Sequence, residues 1–212
     1  MMPPSPPRVY LVTGPSQEVD LPARAALAMR GLPPGSVAVQ LRVPGASGRE
    51  LLAQARALQV VVRDRGQLLI VNDRVDVAIA AGADGVHLPS AGISPADARR
   101  LLGAGRLVGV SCHSASDVSR ALAGGADFAT FGPVFETPSK RAHGAPVGLE
   151  QLAVAARLGL PLLGLGGVDL SNASAVVAAG AWGLAAIRAW LEADDPAAVV
   201  RALLDAVERH RR

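Results

Sequence analysis

Cysteine is almost absent: the 212 residues contain one, Cys112. A disulfide framework is excluded, and so is a zinc site built from several thiolates. Cys112 itself reads as a small, half-buried core residue. Aromatic side chains are scarce too, at 3% of a chain that is 50% hydrophobic. Val, Leu and Ala must then form the core, which suits strands buried on both faces beneath closely packed helices. Few aromatics also means no stacking platform for single-stranded nucleic acid. The cations are scattered, and the formal net charge is only +3. No nucleic-acid partner is expected. No apolar run approaches the roughly 18 residues of a membrane span, so no membrane partner is expected either. Residues 1–7 are Pro-rich and lack the basic-then-apolar order of a signal peptide. They read as a frayed end, and the protein reads as cytoplasmic.

Short apolar runs alternate with amphipathic stretches along the rest. The runs cover 8–13, 36–42, 67–72, 84–88, 107–111, 127–131, 161–165 and 183–187. Helical patterns follow at 21–30, 48–65, 74–81, 95–102, 115–123, 149–157, 172–179 and 196–209. Parallel strands need such helical crossovers, and strict alternation means an α/β fold. Eight repeats without a Gly-rich first turn predict one closed (β/α)8 TIM barrel over residues 8–212. An internal echo agrees: Gly82-Ala83-Asp84, Gly124-Gly125-Ala126-Asp127 and Gly180-Ala181-Trp182 each precede a strand. A left-handed glycine cap should end the helix there.

In such barrels the chemistry sits where strands end. Alternation turns Gln40 and Arg42 inward at the end of the second strand, where an arginine can hold phosphate through paired hydrogen bonds; a rim salt bridge is the plainer alternative. After strand three, Asn72 and Asp73 either face the mouth or cap the next helix. His87, between apolar neighbours in strand four, reads as a satisfied core residue. Strand five leads through Ser111 to His113, the only histidine in a polar loop just past a strand, and so the best acid/base candidate. The long loop after strand six carries Thr137, Ser139 and Lys140, and loops of that length are often functional. Gly166 and Gly167 end strand seven, where bare backbone N–H groups can approach phosphate closely. Arg188 follows strand eight, beside the usual phosphate site of these barrels.

The set resembles the thiamin phosphate synthase/TenI family over nearly the whole chain. The carriers are Gln40-Leu41-Arg42, Asn72-Asp73-Arg74-Val75-Asp76, Gly82-Ala83-Asp84-Gly85-Val86-His87-Leu88, Gly109-Val110-Ser111-Cys112-His113-Ser114, Gly132-Pro133-Val134-Phe135-Glu136-Thr137-Pro138-Ser139-Lys140 and Gly166-Gly167-Val168. The resemblance implies one of two reactions. A synthase joins an aminopyrimidine pyrophosphate to a thiazole phosphate with magnesium. A TenI-like tautomerase aromatises a carboxythiazole phosphate by proton transfer, with no cofactor. Under this resemblance Gln40, Arg42, Asn72, Ser111, Thr137, Ser139 and Lys140 contact substrate, and Gly166 and Gly167 hold the thiazole phosphate, while Arg188 is a phosphate candidate by its place after strand eight alone. His113 falls on the tautomerase acid/base, and Asp73 on a magnesium ligand of the synthase.

Three departures stand out, one of them Arg188, which stands after strand eight where the family usually has a small hydroxyl residue. Pro44 replaces a pyrophosphate-binding lysine of the synthase pattern, and Gly92 replaces its second metal carboxylate. Neither residue offers a charge. Both losses fall on the pyrophosphate half, while the thiazole-phosphate half and His113 are intact. On sequence alone the expectation is therefore the tautomerase. The synthase is the alternative, and a non-catalytic phosphate-binding regulator is a third. The expected partner is a small phosphorylated heterocycle, and apolar barrel helices are compatible with a homodimer.

Overall fold

A computed structural model describes residues 3–14, 19–137 and 145–211. Its strands are β1 (Val9–Val12), β2 (Val37–Leu41), β3 (Leu68–Asn72), β4 (Gly85–Leu88), β5 (Leu107–Cys112), β6 (Phe128–Phe131), β7 (Leu162–Gly164) and β8 (Gly183–Ala186). They close in sequence order into an all-parallel barrel, β1 pairing with both β2 and β8. The helices are α1 (Leu21–Ala28), α2 (Gly48–Asp64), α3 (Val75–Ala81), α4 (Pro95–Leu102), α5 (Ala115–Ala123), α6 (Gly148–Ala156), α7 (Ala173–Ala178), α8 (Arg188–Leu191) and α9 (Pro196–Arg209). The expected (β/α)8 barrel is thus present, with one addition: α8, a single turn between β8 and α9.

Alternation along the strands sorts side chains into two cores. Tyr10, Val12, Ala38, Leu68, Ile70, Leu107, Phe128, Leu163 and Ala185 fill the barrel. The larger core lies between strands and helices and includes Leu11, Val39, Leu41, Leu69, Val71, Leu88 and Phe131. Each large side chain so buried is worth about 1.5–3 kcal/mol. Both faces of every strand are therefore apolar except near the mouth, and that is why the runs read as continuous. Among the described residues no helix is long and apolar enough to cross a membrane.

The internal echo has a structural cause at the opposite end of the barrel. The Asp84 carboxylate accepts the Leu69 N–H at 2.8 Å, and the Asp127 carboxylate accepts that of Val108 at 2.6 Å. Each ties the start of one strand to the start of the preceding one. Gly82, Gly125 and Gly180 are the left-handed residues, so in the second copy the role falls to Gly125 and not to Gly124. In the third copy Trp182 replaces the aspartate, and its indole donates to the Pro6 carbonyl at 3.3 Å.

Candidate active site at the barrel mouth

The mouth is built from residues that continue the inward-facing rows. Gln40, 4% exposed, donates through Nε2 to Asn72 Oδ1 at 2.9 Å. This fixes both amides across β2 and β3. Arg42 follows β2 directly. The Thr13 hydroxyl accepts its N–H at 2.8 Å and donates to its carbonyl at 2.9 Å. One buried threonine thus clamps the arginine backbone, while the guanidinium is exposed and has no hydrogen-bond or ion-pair partner among the described residues. The rim salt bridge weighed for Arg42 is not formed there.

Neither Asn72 nor Asp73 caps α3. The cap is Arg74, with no side-chain hydrogen bond to the helix. Asn72 is committed to Gln40 instead. Asp73 is exposed and, among the described residues, is the one non-glycine with positive φ, at 62°. Asp tolerates this region better than most residues, and such conformations recur at functional sites. Its carboxylate accepts no hydrogen bond among the described residues. Arg74 spends its guanidinium on Asp76, through contacts of 2.8 and 2.6 Å.

His113 stands one residue past β5. Its N–H donates to Asp117 Oδ2 at 2.9 Å, and Ser114 caps α5 by accepting the Asp117 N–H at 3.1 Å. The ring is held as well: Nδ1 lies 2.5 Å from the Gly132 carbonyl. A carbonyl can only accept, so Nδ1 carries a proton, and whenever the ring is neutral Nε2 presents a lone pair. A neutral imidazole oriented in this way can take a proton from a bound molecule.

The β6 and β7 loops are laced together. Val134 N–H donates to the Leu165 carbonyl at 2.8 Å, and Phe135 N–H to that of Gly166 at 2.9 Å. Gly166 and Gly167 have φ of 98° and 65°. A Cβ on Gly166 would lie 2.6 Å from Pro133 Cα, and one on Gly167 would lie 2.7 Å from the Glu136 carbonyl oxygen. Glycine is therefore required at both. Their carbonyls are used, Gly167's by Asn172 Nδ2 at 2.8 Å, but their N–H groups donate to no described residue. Arg188 opens α8 and is exposed, and its guanidinium has no polar partner among the described residues. N–H groups without a partner among the described residues after β7, and such a guanidinium after the neighbouring β8, are groups that can bind an anion. Thr137 is half-buried. Ser139 and Lys140 lie outside the described residues.

Below the mouth, His87 is 1% exposed and lies between Tyr10, Ser111 and Thr130. Burial drives its pKa down to about 3, so it is neutral at physiological pH, as a satisfied core residue should be. Cys112 is buried, and burial raises its thiol to about 12, with Asp117 adding to the effect. It is no nucleophile. Tyr10, Thr13 and Thr130 were not among the expected site residues. Strand alternation does turn Tyr10 and Thr130 inward, but a sequence carries no sign that both meet His87.

A family model described as thiamine monophosphate synthase matches residues 9–190. The thiamine-phosphate synthase of a Roseiflexus species is 46% identical over 177 residues, 83% of this chain and 74% of its own. That of Moorella thermoacetica is 41% identical over 178 residues, 84% and 85% of the two chains. Among solved structures, thiamine phosphate pyrophosphorylase from Pyrococcus furiosus superposes with a TM-score of 0.84 at 29% identity, covering 96% of each chain. With the matched segment running from β1 into α8, the chain belongs to the thiamine monophosphate synthase family.

Proposed function

We propose that this protein couples an aminopyrimidine pyrophosphate to a thiazole phosphate and releases pyrophosphate. The observation that carries the reading is identity: relatives 41–46% identical over more than four-fifths of the chain are named thiamine-phosphate synthase. The mouth supports it. The Gln40–Asn72 pair presents amide groups suited to a polar heterocycle. The Arg42 guanidinium, unpaired among the described residues, provides a cation for phosphoryl oxygens. On the opposite side, the Gly166 and Gly167 N–H groups with Arg188 suit the thiazole phosphate. Two anionic substrates would thus be held on opposite walls, with their reacting ends between them.

Asp73 fits the magnesium that such a reaction implies. It is an exposed carboxylate with no competing hydrogen bond among the described residues, and magnesium is commonly held by one or two carboxylates plus substrate phosphates. No cluster of three or more potential ligands occurs among the described residues, so the protein offers an anchor and not a cage. When bound, the ion would supply positive charge to the departing pyrophosphate. With Pro44 and Gly92 in place of charged residues, Arg42 carries more of that neutralisation than a lysine-assisted site would require.

A second reading, thiazole tautomerase, is favoured by His113. Its Nδ1–H is fixed on the Gly132 carbonyl, leaving Nε2 to act as a base. One experiment separates the two: the purified protein is offered both coupling substrates with magnesium, and separately the carboxythiazole phosphate. Magnesium-dependent release of pyrophosphate, retained in His113→Ala to within about ten-fold, supports the synthase. Aromatisation abolished in His113→Ala, without coupling, would overturn it.

A further inference from the structure

We propose that His87 is a positioning residue, held as its Nε2–H tautomer by Tyr10, so that the Ser111 hydroxyl is presented to the bound substrate as a hydrogen-bond donor. The inference rests on the mouth being the substrate site, as proposed above.

Tyr10 is fully buried inside the barrel, and among the described residues its hydroxyl has one polar partner, His87 Nδ1, at 3.3 Å. The other ring nitrogen, Nε2, faces two hydroxyl oxygens: Ser111 Oγ at 3.0 Å and Thr130 Oγ1 at 3.3 Å. No charged group takes part. If Nδ1 carried the proton, it would point at Tyr10 Oη, and the buried phenolic hydrogen would have no acceptor. Ser111 and Thr130 would then compete for the single lone pair on Nε2. If Nε2 carries the proton, Tyr10 donates to Nδ1 and the N–H is shared by two oxygens that can accept it. A buried donor left unpaired is costly, so the second arrangement wins.

The consequence falls on Ser111. A hydroxyl has one hydrogen and two lone pairs. With a lone pair engaged by His87, its hydrogen is free to turn toward the open mouth, where Ser111 is half-buried. Ser111 can then donate to an acceptor, such as a phosphoryl oxygen or an unprotonated ring nitrogen, which it could not do while donating to His87. Space for the ring is reserved by Gly109, where a Cβ would lie 2.8 Å from His87 Nδ1 and would collide with Phe128. The ring stacks obliquely between Tyr10 and Phe128, with centroid separations of 5.6 and 5.8 Å. It cannot rotate to exchange its two nitrogens without disturbing both aromatics.

The test has two readouts. Nitrogen–proton correlation spectra of the full chain, labelled with 15N in its imidazoles, report which nitrogen is protonated. The expected result is a proton on Nε2 of His87 in the wild type and a mixture of tautomers in Tyr10→Phe, a nearly isosteric change. A proton on Nδ1 in the wild type would overturn the proposal, whether or not the coupling reaction is observed. Kinetics of Tyr10→Phe, Ser111→Ala and the double variant supply the second readout. Tyr10→Phe should lower kcat/KM about five-fold, the scale of one hydrogen bond, and should add nothing once Ser111 is alanine. Independent, multiplying losses would show that Tyr10 and His87 do not act through Ser111.

Discussion

Acidification should unfold this protein through His87 ahead of other groups. In the folded chain the buried imidazole holds its pKa near 3, against an ordinary value of 6.5. The unfolded chain therefore binds a proton that the folded chain refuses. Stability from keeping the ring neutral is intact above pH 6.5 and drains away as pH falls toward 3. At about 1.4 kcal/mol per pKa unit, the full loss is about 5 kcal/mol, and the part lost between pH 7 and 5 is about 2 kcal/mol. That is a large fraction of the roughly 5–15 kcal/mol that holds a domain together. Urea unfolding at pH 7 and pH 5, for wild type and His87→Gln, isolates the effect. The variant should be less stable at pH 7 but should lose about 2 kcal/mol less than wild type on moving to pH 5, since glutamine does not titrate. Parallel pH dependences in the two proteins would refute the reasoning.

Three further outcomes follow from the geometry. Gly166→Ala forces a side chain into left-handed backbone and onto Pro133. It should destabilise the fold by about 1–3 kcal/mol and raise KM for the thiazole phosphate, read by thermal melting and steady-state kinetics. Thr13→Val removes both hydrogen bonds to the Arg42 backbone. A cost of about 1–3 kcal/mol should appear in urea titration, together with a higher KM for the pyrophosphate substrate. Gly92→Asp places a carboxylate in the turn closed by the Gly92 N–H on the Pro89 carbonyl, where the neighbouring proline must yield slightly. It should lower the magnesium concentration needed for half-maximal rate, while the magnesium-independent binding of thiazole phosphate, followed by calorimetry, stays unchanged.

The barrel was legible because every strand is buried on both faces and every helix buries one. That pairing of periods leaves a mark in the order of apolar residues. Helix α8 left none: it has four residues and begins at Ile187–Arg188 without a capping side chain. Asn72 and Asp73 looked equally suited to cap α3 or to face the mouth. What excluded the cap was the backbone, left-handed at Asp73, with α3 starting only at Val75. The mouth residues Gln40, Arg42, Asn72, Ser111 and His113 could be found because strand ends can be counted. Their second layer could not. Tyr10 and Thr130 lie 77 and 43 positions from His87, and only closure of the barrel brings them together. Pro44 and Gly92 read on the chain as lost charges on one half of the site. The mouth leaves Arg42 unpaired among the described residues and Asp73 exposed on that same half, so a working pyrophosphate side is compatible with both substitutions.

The most direct test of the account is pyrophosphate release by the purified protein from aminopyrimidine pyrophosphate and thiazole phosphate in the presence and absence of magnesium, beside an Arg42→Ala variant. The account predicts turnover that requires both substrates and magnesium and falls by about 100-fold or more in the variant, the scale of a lost charge-stabilising group. No pyrophosphate under conditions where calorimetry shows thiazole phosphate bound would contradict it.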